Sequence, residues 1–277
     1  MNLLILTYWS YKDALVQTYT LPYVKIIRDQ NPNHKVFLVT IEQPFHKMND
    51  EEWLRECSLL KKENIELIRF KYDSFGIKMI SRFLAVIPKL VWLIFTKKIK
   101  SIHAWCTPAG GLGYVLSIIT RRDLVIDSYE PHAESMVENG EWRMDSFKFK
   151  LLFWLEKRQS KRAKTVIALT DGMRNYAREK YHAEFDNYYI KPSLIDFNSF
   201  NWSKEKYLSL RDQYNLDNKV VLVYAGKLGG IYLKDEVFDF FKVAQEYWGE
   251  KLKIFLLTNH NHTEVNQLIL DKNLSPR

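Results

Sequence analysis

The chain has 277 residues, enough for about two domains, and 47% of them are apolar, which supports an ordinary globular core. Its 41 Lys and Arg against 33 Asp and Glu leave a formal charge of +8, which points to an anionic partner such as a phosphorylated substrate or an acidic membrane surface. Two cysteines, Cys57 and Cys106, exclude a disulfide scaffold and share no metal-ligand spacing, so a reducing, cytoplasmic setting without a protein metal site is expected.

The amino terminus, MNLLILTYWS, has neither the basic start nor the small-residue cleavage site of a secretory signal, and its LLIL reads as a first buried strand. Short apolar runs then alternate with stretches of helical period. Strands are expected at Leu3–Leu6, Val36–Val39, Ile65–Phe70, Ile102–Trp105, Leu124–Ile126, Val166–Leu169 and Tyr188–Ile190. Asp50 to Lys62 gathers Trp53, Leu54, Cys57, Leu59 and Leu60 on one side, with Asn49 or Asp50 as its cap. Such alternation predicts an α/β fold, a mostly parallel sheet with helices on both faces.

The first strand–helix turn, TYWSYKDALVQTY, contains no glycine, which excludes the G-x-G-x-x-G fingerprint of a dinucleotide site there. Trp9, Ser10 and Lys12 suit a sugar or lipid-phosphate acceptor, and a buried aromatic cluster would also use them. Further on, Lys78 to Lys100 is the most hydrophobic stretch. Arg82, Pro88 and Lys89 interrupt its apolar core, which falls short of the roughly 20 residues that a membrane span needs. With Lys97, Lys98 and Lys100 it suits a basic helix lying on an anionic membrane, as does Phe147 to Lys164. Ordinary sheet-covering helices are the other reading of both.

The stretch from Ser101 to Ser135 concentrates the chemistry. It reads as a buried strand, a Gly-rich turn CTPAGG whose glycines allow close packing, a helix over Gly111 to Ile119, a second strand, and a polar loop carrying Asp127, Glu130 and His132. Both loops fall at the carboxyl edge of the sheet, where doubly wound folds bind their ligands. Pro131 starts a helix, so Glu130 and His132 sit at its positive end, which is expected to lower the proton affinity of the histidine.

After Ile190, KPSLIDFNSFNWSKEK is polar and aperiodic and reads as a linker, dividing residues 1–200 from 201–277. The alternation then restarts with a strand at Val220–Tyr224, the turn AGKLGG, a helix at Leu233–Tyr247, a strand at Ile254–Leu257 and a helix at Glu264–Asp271. In that turn, Gly226, Gly229 and Gly230 free backbone N–H groups to approach a phosphate, while Lys227 and Lys234 supply charge. Two parallel strands with their helices cannot close a covered sheet, so the second domain is expected to be incomplete at Arg277. No nucleic-acid-binding motif is recognisable, and no nucleic-acid partner is expected.

Taken in order, DSYEPHAE, KRAKTVIALTDGMRNYAREKYH, IKPSLIDFNSF and VLVYAGKLGG resemble the GT-B glycosyltransferases of family 4. The resemblance implies two Rossmann-like domains, the first for the acceptor and the second for a nucleotide-sugar. It implies sugar transfer to a polysaccharide or lipid-linked acceptor, with retention of anomeric configuration and with neither metal nor cofactor. His132 then matches the active-site histidine beside the sugar, and Lys227 the basic residue that contacts the diphosphate. Three departures accompany the match. TYWSYKD replaces the Gly-rich first turn, Lys234 precedes Asp235 rather than a glycine, and the Glu-x7-Glu region lies beyond Arg277. On this basis the 277 residues alone are expected to be inactive. The alternative is a non-catalytic module that binds carbohydrate or a partner.

Overall fold

A computed structural model describes residues 2–46, 48–73, 77–194, 197–198, 200–229, 232–258 and 260–275. The chain divides into two units, Met1–Ser193 and Leu194–Arg277.

In the first unit the strands are β1 (Asn2–Leu6), β2 (Val36–Glu42), β3 (Ile65–Lys71), β4 (Ile99–Trp105), β5 (Asp123–Tyr129), β6 (Thr165–Ala168) and β7 (Tyr188–Ile190). Between them run α1 (Leu21–Asp29), α2 (Asp50–Lys62), α3 (Ile77–Thr96), α4 (Thr107–Thr120), α5 (His132–Glu138), α6 (Phe147–Arg162) and α7 (Gly172–Tyr176). A π-helical turn at Val16–Thr20 leads into α1, and another at Ala177–Tyr181 follows α7. The strands form one sheet in the order β3-β2-β1-β4-β5-β6-β7, and every pair in it is parallel. That order reverses between β1 and β4, the switch point beside which ligands of doubly wound sheets sit.

Alternate residues of each strand feed the two faces. Leu4, Leu6, Phe37 and Val39 join Leu90, Ile102, Leu124 and Ile126 in one core. Ile5, Val36 and Leu38 join Val24, Trp53, Ile65 and Trp105 in the other. Burial on both faces explains why these strands read as near-continuous apolar runs. Helix α2 begins with the expected cap, which proves to be Asn49. Its side chain accepts from the Glu52 N–H at 2.8 Å, and the Glu52 carboxylate accepts from the Asn49 N–H at 3.2 Å.

Two expectations need correction. The stretch after Cys106 is no Gly-rich turn: α4 starts at Thr107, with Pro108 in its first turn, where a missing N–H costs nothing. Its glycines lie inside the helix and bring it close to its neighbours. A Cβ on Gly111 would stand 3.0 Å from Leu155 Cδ1 of α6, and one on Gly113 would stand 3.0 Å from Leu124 Cδ1 and 3.2 Å from Ala104 Cβ. The linker is also shorter than its composition implied, because α8 (Lys204–Gln213) begins within it, capped by Ser203 Oγ, which accepts from the Lys206 N–H at 3.4 Å. No residue of α8 is buried, so it carries no apolar stripe for a reading of periodicity to find.

The second unit holds β8 (Val220–Ala225) and β9 (Leu252–Leu257), paired in parallel, with α9 (Asp235–Trp248) and α10 (His262–Asp271). Leu228, Phe238, Phe241 and Leu274 form its core. Val223 and Leu257 remain exposed on its strands.

Replacing Gly113 tests the packing of α4. The Ala104 methyl is fixed to the backbone of β4 and cannot move aside, so Gly113→Val should overpack the site. We expect a loss of about 1–3 kcal/mol in stability, measured as a lowered urea midpoint for the first unit.

Candidate functional site

The carboxyl edges of β4 and β5 are bound to each other before any reactive side chain is placed. The Cys106 N–H donates to the Asp127 carbonyl at 3.0 Å, and Thr107 Oγ1 donates to the Glu130 carbonyl at 3.2 Å. Cys106 has φ of +70°, a conformation uncommon outside glycine and concentrated at functional sites. Its thiol is buried, and that burial pushes its pKa up to about 12, so it is no nucleophile at neutral pH.

His132 opens α5, and its Nδ1 lies 2.8 Å from Glu130 Oε1. The two residues marked out in the sequence as neighbours are therefore a hydrogen-bonded pair. The expected effect on the imidazole is reversed. Burial alone would lower its pKa, but the hydrogen bond and charge of Glu130, helped by the charge of Glu156, raise it above the ordinary histidine value. An adjacent carboxylate outweighs the start of a helix that has only 7 residues.

Beneath this pair lies a group that the sequence reading did not single out. Glu156 of α6 is fully buried. Its Oε1 accepts from the Ala133 N–H at 2.9 Å and its Oε2 accepts from the Tyr181 hydroxyl at 2.8 Å. Burial pushes its pKa up to about 7, against the lowering effects of these two bonds and of His132. The signal was present in the chain. Leu152, Leu155, Glu156, Gln159 and Ser160 are the buried face of α6, so three polar residues occupy the core stripe of a helix.

A second buried cluster occupies the opposite side of β5. Lys191 Nζ lies 2.6 Å from Asp127 Oδ2, and His103 Nε2 lies 3.3 Å from the same oxygen. The ammonium also stands 4.0 Å from the ring centre of Trp105, 4.1 Å from that of Tyr23 and 4.8 Å from that of Tyr19, a cation held against three aromatic faces. Burial would raise the Asp127 pKa, but His103 and Lys191 more than offset it and hold the carboxyl below its ordinary value.

The first turn supplies less than expected. Ser10 is fully buried, and its hydroxyl donates to the Ile41 carbonyl at 3.4 Å and accepts from the Gln43 N–H at 2.7 Å. It is a structural residue and cannot meet an acceptor. Trp9 packs half-buried against both cores. Lys12 is exposed and paired with Glu52 at 3.0 Å.

In the second unit, Gly226 and the exposed Lys227 follow β8. Gly229 has φ of +75°, which favours a residue without Cβ, and the stem of Lys234 passes within 4.0 Å of where its Cβ would be. Lys234 precedes the first turn of α9. These four residues therefore share one turn. Asp235 and Glu236 also occupy the first turn of α9 and oppose any anion there. Gly230 lies outside the described residues, as does Asp196 of the passage between the units. Among the described residues, no three His, Cys, Asp or Glu side chains gather as a metal site.

The fold recurs in solved structures. HepE from Anabaena, in complex with UDP and glucose, is 18% identical and matches over 100% of this chain and 68% of its own, with a TM-score of 0.68. Sucrose-phosphate synthase from Thermosynechococcus elongatus is 13% identical over 100% of this chain and 68% of its own, at 0.66. A UDP-N-acetylglucosamine 2-epimerase candidate from Listeria monocytogenes is 11% identical over 97% of this chain and 65% of its own, at 0.58. The chain thus has the GT-B type of α/β fold and spans about two thirds of the length of these neighbours. No family pattern matches the sequence, and no curated protein matches it.

Asp127 provides a test of the second cluster. Asp127→Asn keeps the shape but leaves the Lys191 ammonium buried without a counter-charge, and should cost about 3 kcal/mol at pH 7. Because the native carboxyl titrates below its unfolded value of about 3.9, its contribution is present above that pH and disappears as pH falls through the native value. Urea unfolding at several pH values should therefore show the gap between wild type and variant closing in acid.

Proposed function

We propose that the protein transfers a sugar from a nucleotide-sugar to a glycan or lipid-linked acceptor, as a family-4 GT-B glycosyltransferase acting with retention and without a metal. The observation that carries this reading is the fold match along the whole chain to HepE, which is known in complexes with UDP and with UDP-glucose. The residues of each unit agree with it. The turn of Gly226, Lys227, Gly229 and Lys234 offers positive charge and open backbone to a diphosphate. Charge growing on the departing nucleoside diphosphate is stabilised there without proton transfer. On the first unit, Glu130 occupies Nδ1 of His132, which leaves Nε2 to meet a hydroxyl of the sugar. Trp9 and Lys12 border the acceptor side.

Epimerisation of a nucleotide-sugar is the second reading, favoured by the epimerase candidate among the neighbours. Both readings require donor binding, and only one makes a glycosidic bond. Calorimetric titration with UDP-, GDP- and ADP-glucose should give saturable binding of at least one. Lys227→Ala should weaken that binding about tenfold, equivalent to about 1.4 kcal/mol. His132→Ala should leave binding in place and, in the full-length protein, lower turnover at least about tenfold. Absence of binding to every nucleotide-sugar tried would overturn both readings, and product analysis by NMR would separate transfer from epimerisation.

We further propose that α3 rests on an anionic membrane at the cytoplasmic face. By length and composition α3 could cross a bilayer, which differs from the expectation of a shorter apolar core. Yet Met79, Val86, Leu90, Leu93 and Ile94 are buried within the unit, which favours a helix lying flat. Its outer stripe exposes Ile77, Leu84, Trp92 and Phe95, at spacings that share one side of a helix, and exposed Lys78, Lys89, Lys97 and Lys98 border it. Aromatic and aliphatic groups rimmed by lysines suit the interface of an acidic bilayer. Sedimentation with acidic vesicles should exceed that with neutral ones, weaken as salt is added, and fall in Trp92→Glu. Equal sedimentation with both kinds of vesicle would leave α3 with a packing role alone.

A further inference from the structure

Helix α5 starts without a cap of its own. Its N-cap position is Pro131, which has no polar side chain, and no local side chain accepts from the first turn. The opening N–H groups of a helix need acceptors, and here the acceptor comes from another helix, as the Glu156 carboxylate on Ala133. Ala133 is the residue next to His132, so the oxygen that caps α5 also fixes the backbone carrying the imidazole.

We infer that Glu156 is the positioning residue of the His132 site, its buried carboxylate capping α5 from α6 and setting where the imidazole stands. This inference rests on His132 being the residue that meets the sugar. A purely structural residue at this place would be served by an amide, which caps equally well and needs no charge. A carboxylate buried without an ion-pair partner is costly, and among the described residues no Lys, Arg or His lies within ion-pair distance of Glu156. What the charge does provide is a field at His132 that adds to that of Glu130, and both carboxylates raise its proton affinity.

The surroundings of Glu156 come from several elements. The β5–α5 loop contributes Glu130, and α5 contributes His132 together with Glu134, which pairs with Lys180 at 3.1 Å. The π-helical turn contributes Tyr181, and α7 contributes Tyr176, whose ring packs against that of Tyr181. On α6 itself, Ser160 Oγ donates to the Glu156 carbonyl at 2.5 Å and is joined by the hydroxyl of Tyr129. Glu130 and Glu134 are the other acids nearby, and the Glu134–Lys180 pair is exposed enough to be screened. Burial and Glu156 raise the Tyr181 hydroxyl far from neutrality, so the nearby group whose proton Glu156 affects closer to neutral pH is His132.

The decisive experiment is an NMR pH titration of the His132 ring in histidine-labelled full chain, alongside amide exchange at Ala133. Glu156→Gln keeps an oxygen for the Ala133 N–H and removes the charge. It should lower the His132 midpoint by about half a pH unit, a threefold loss of proton affinity, with exchange at Ala133 little changed. Glu156→Met removes both, and should also speed exchange at Ala133 at least about tenfold. An unchanged His132 midpoint in folded Glu156→Gln would overturn the inference, and this nearly isosteric variant decides the matter even if Glu156→Met does not fold. The titration needs no substrate. Failure of the protein to transfer sugar would thus count against the proposed activity, while an unmoved midpoint would count against Glu156.

Discussion

Parallel pairing forces every strand of the first unit to be reached by a crossover over one face of the sheet. Each strand therefore ends at the same edge, and each strand–helix turn opens there. The central strands are covered on both sides, so their interiors are mostly apolar and polar groups concentrate toward their carboxyl ends. Trp105, Cys106 and Thr107 finish β4, and Asp127, Glu130 and His132 finish β5, because of this constraint. The bonds from Cys106 to Asp127 and from Thr107 to Glu130 then fasten the two exits together.

Asp127 and Glu156 both lie buried near that edge, and they pull the stability of the fold in opposite directions as pH changes. Asp127 has basic neighbours in Lys191 and His103 and titrates below its unfolded value, so its charge favours the folded state once it forms. Glu156 has none within ion-pair distance and titrates above its unfolded value, near 7. The native state therefore holds the Glu156 proton more tightly than the unfolded chain does, and its stabilising contribution is present in acid and is lost as pH rises toward neutrality. A group kept ionisable at such a disadvantage is more readily understood beside a site than within a core.

Much of this architecture was legible in the chain, and the exceptions have separate physical causes. Strands buried on both faces announce themselves as apolar runs, which is why β1, β2 and β4 fall close to their expected places. The start of α4 was read as a turn because Pro108, Gly110 and Gly111 have turn composition. Their neighbours, Leu155 and Gln159, lie far along the chain, and only the packing of α6 reveals why a helix would use glycine. Lys191 was legible as an exit from the last strand but not as the partner of Asp127, 64 residues away. His103 reads as one polar residue in an apolar strand until the fold places Asp127 beside it. Glu156 is the instructive case. The period of α6 exposed its place in the core stripe, yet the surrounding lysines and arginines made the helix read as a charged surface.

The glycines of α4 act as the gauge that sets the height of a carboxylate on a different helix. Leu155 and Gln159 press into the space left by Gly111 and Gly110, and Glu156 stands between those two residues on the same face of α6. The depth to which α6 sinks toward α4 thus fixes how far the Glu156 oxygens project toward Ala133. A methyl group added at 111 would press on Leu155 and raise α6 by a few tenths of an ångström. It would be felt first as a stretched bond at the start of α5, at a histidine that neither glycine touches.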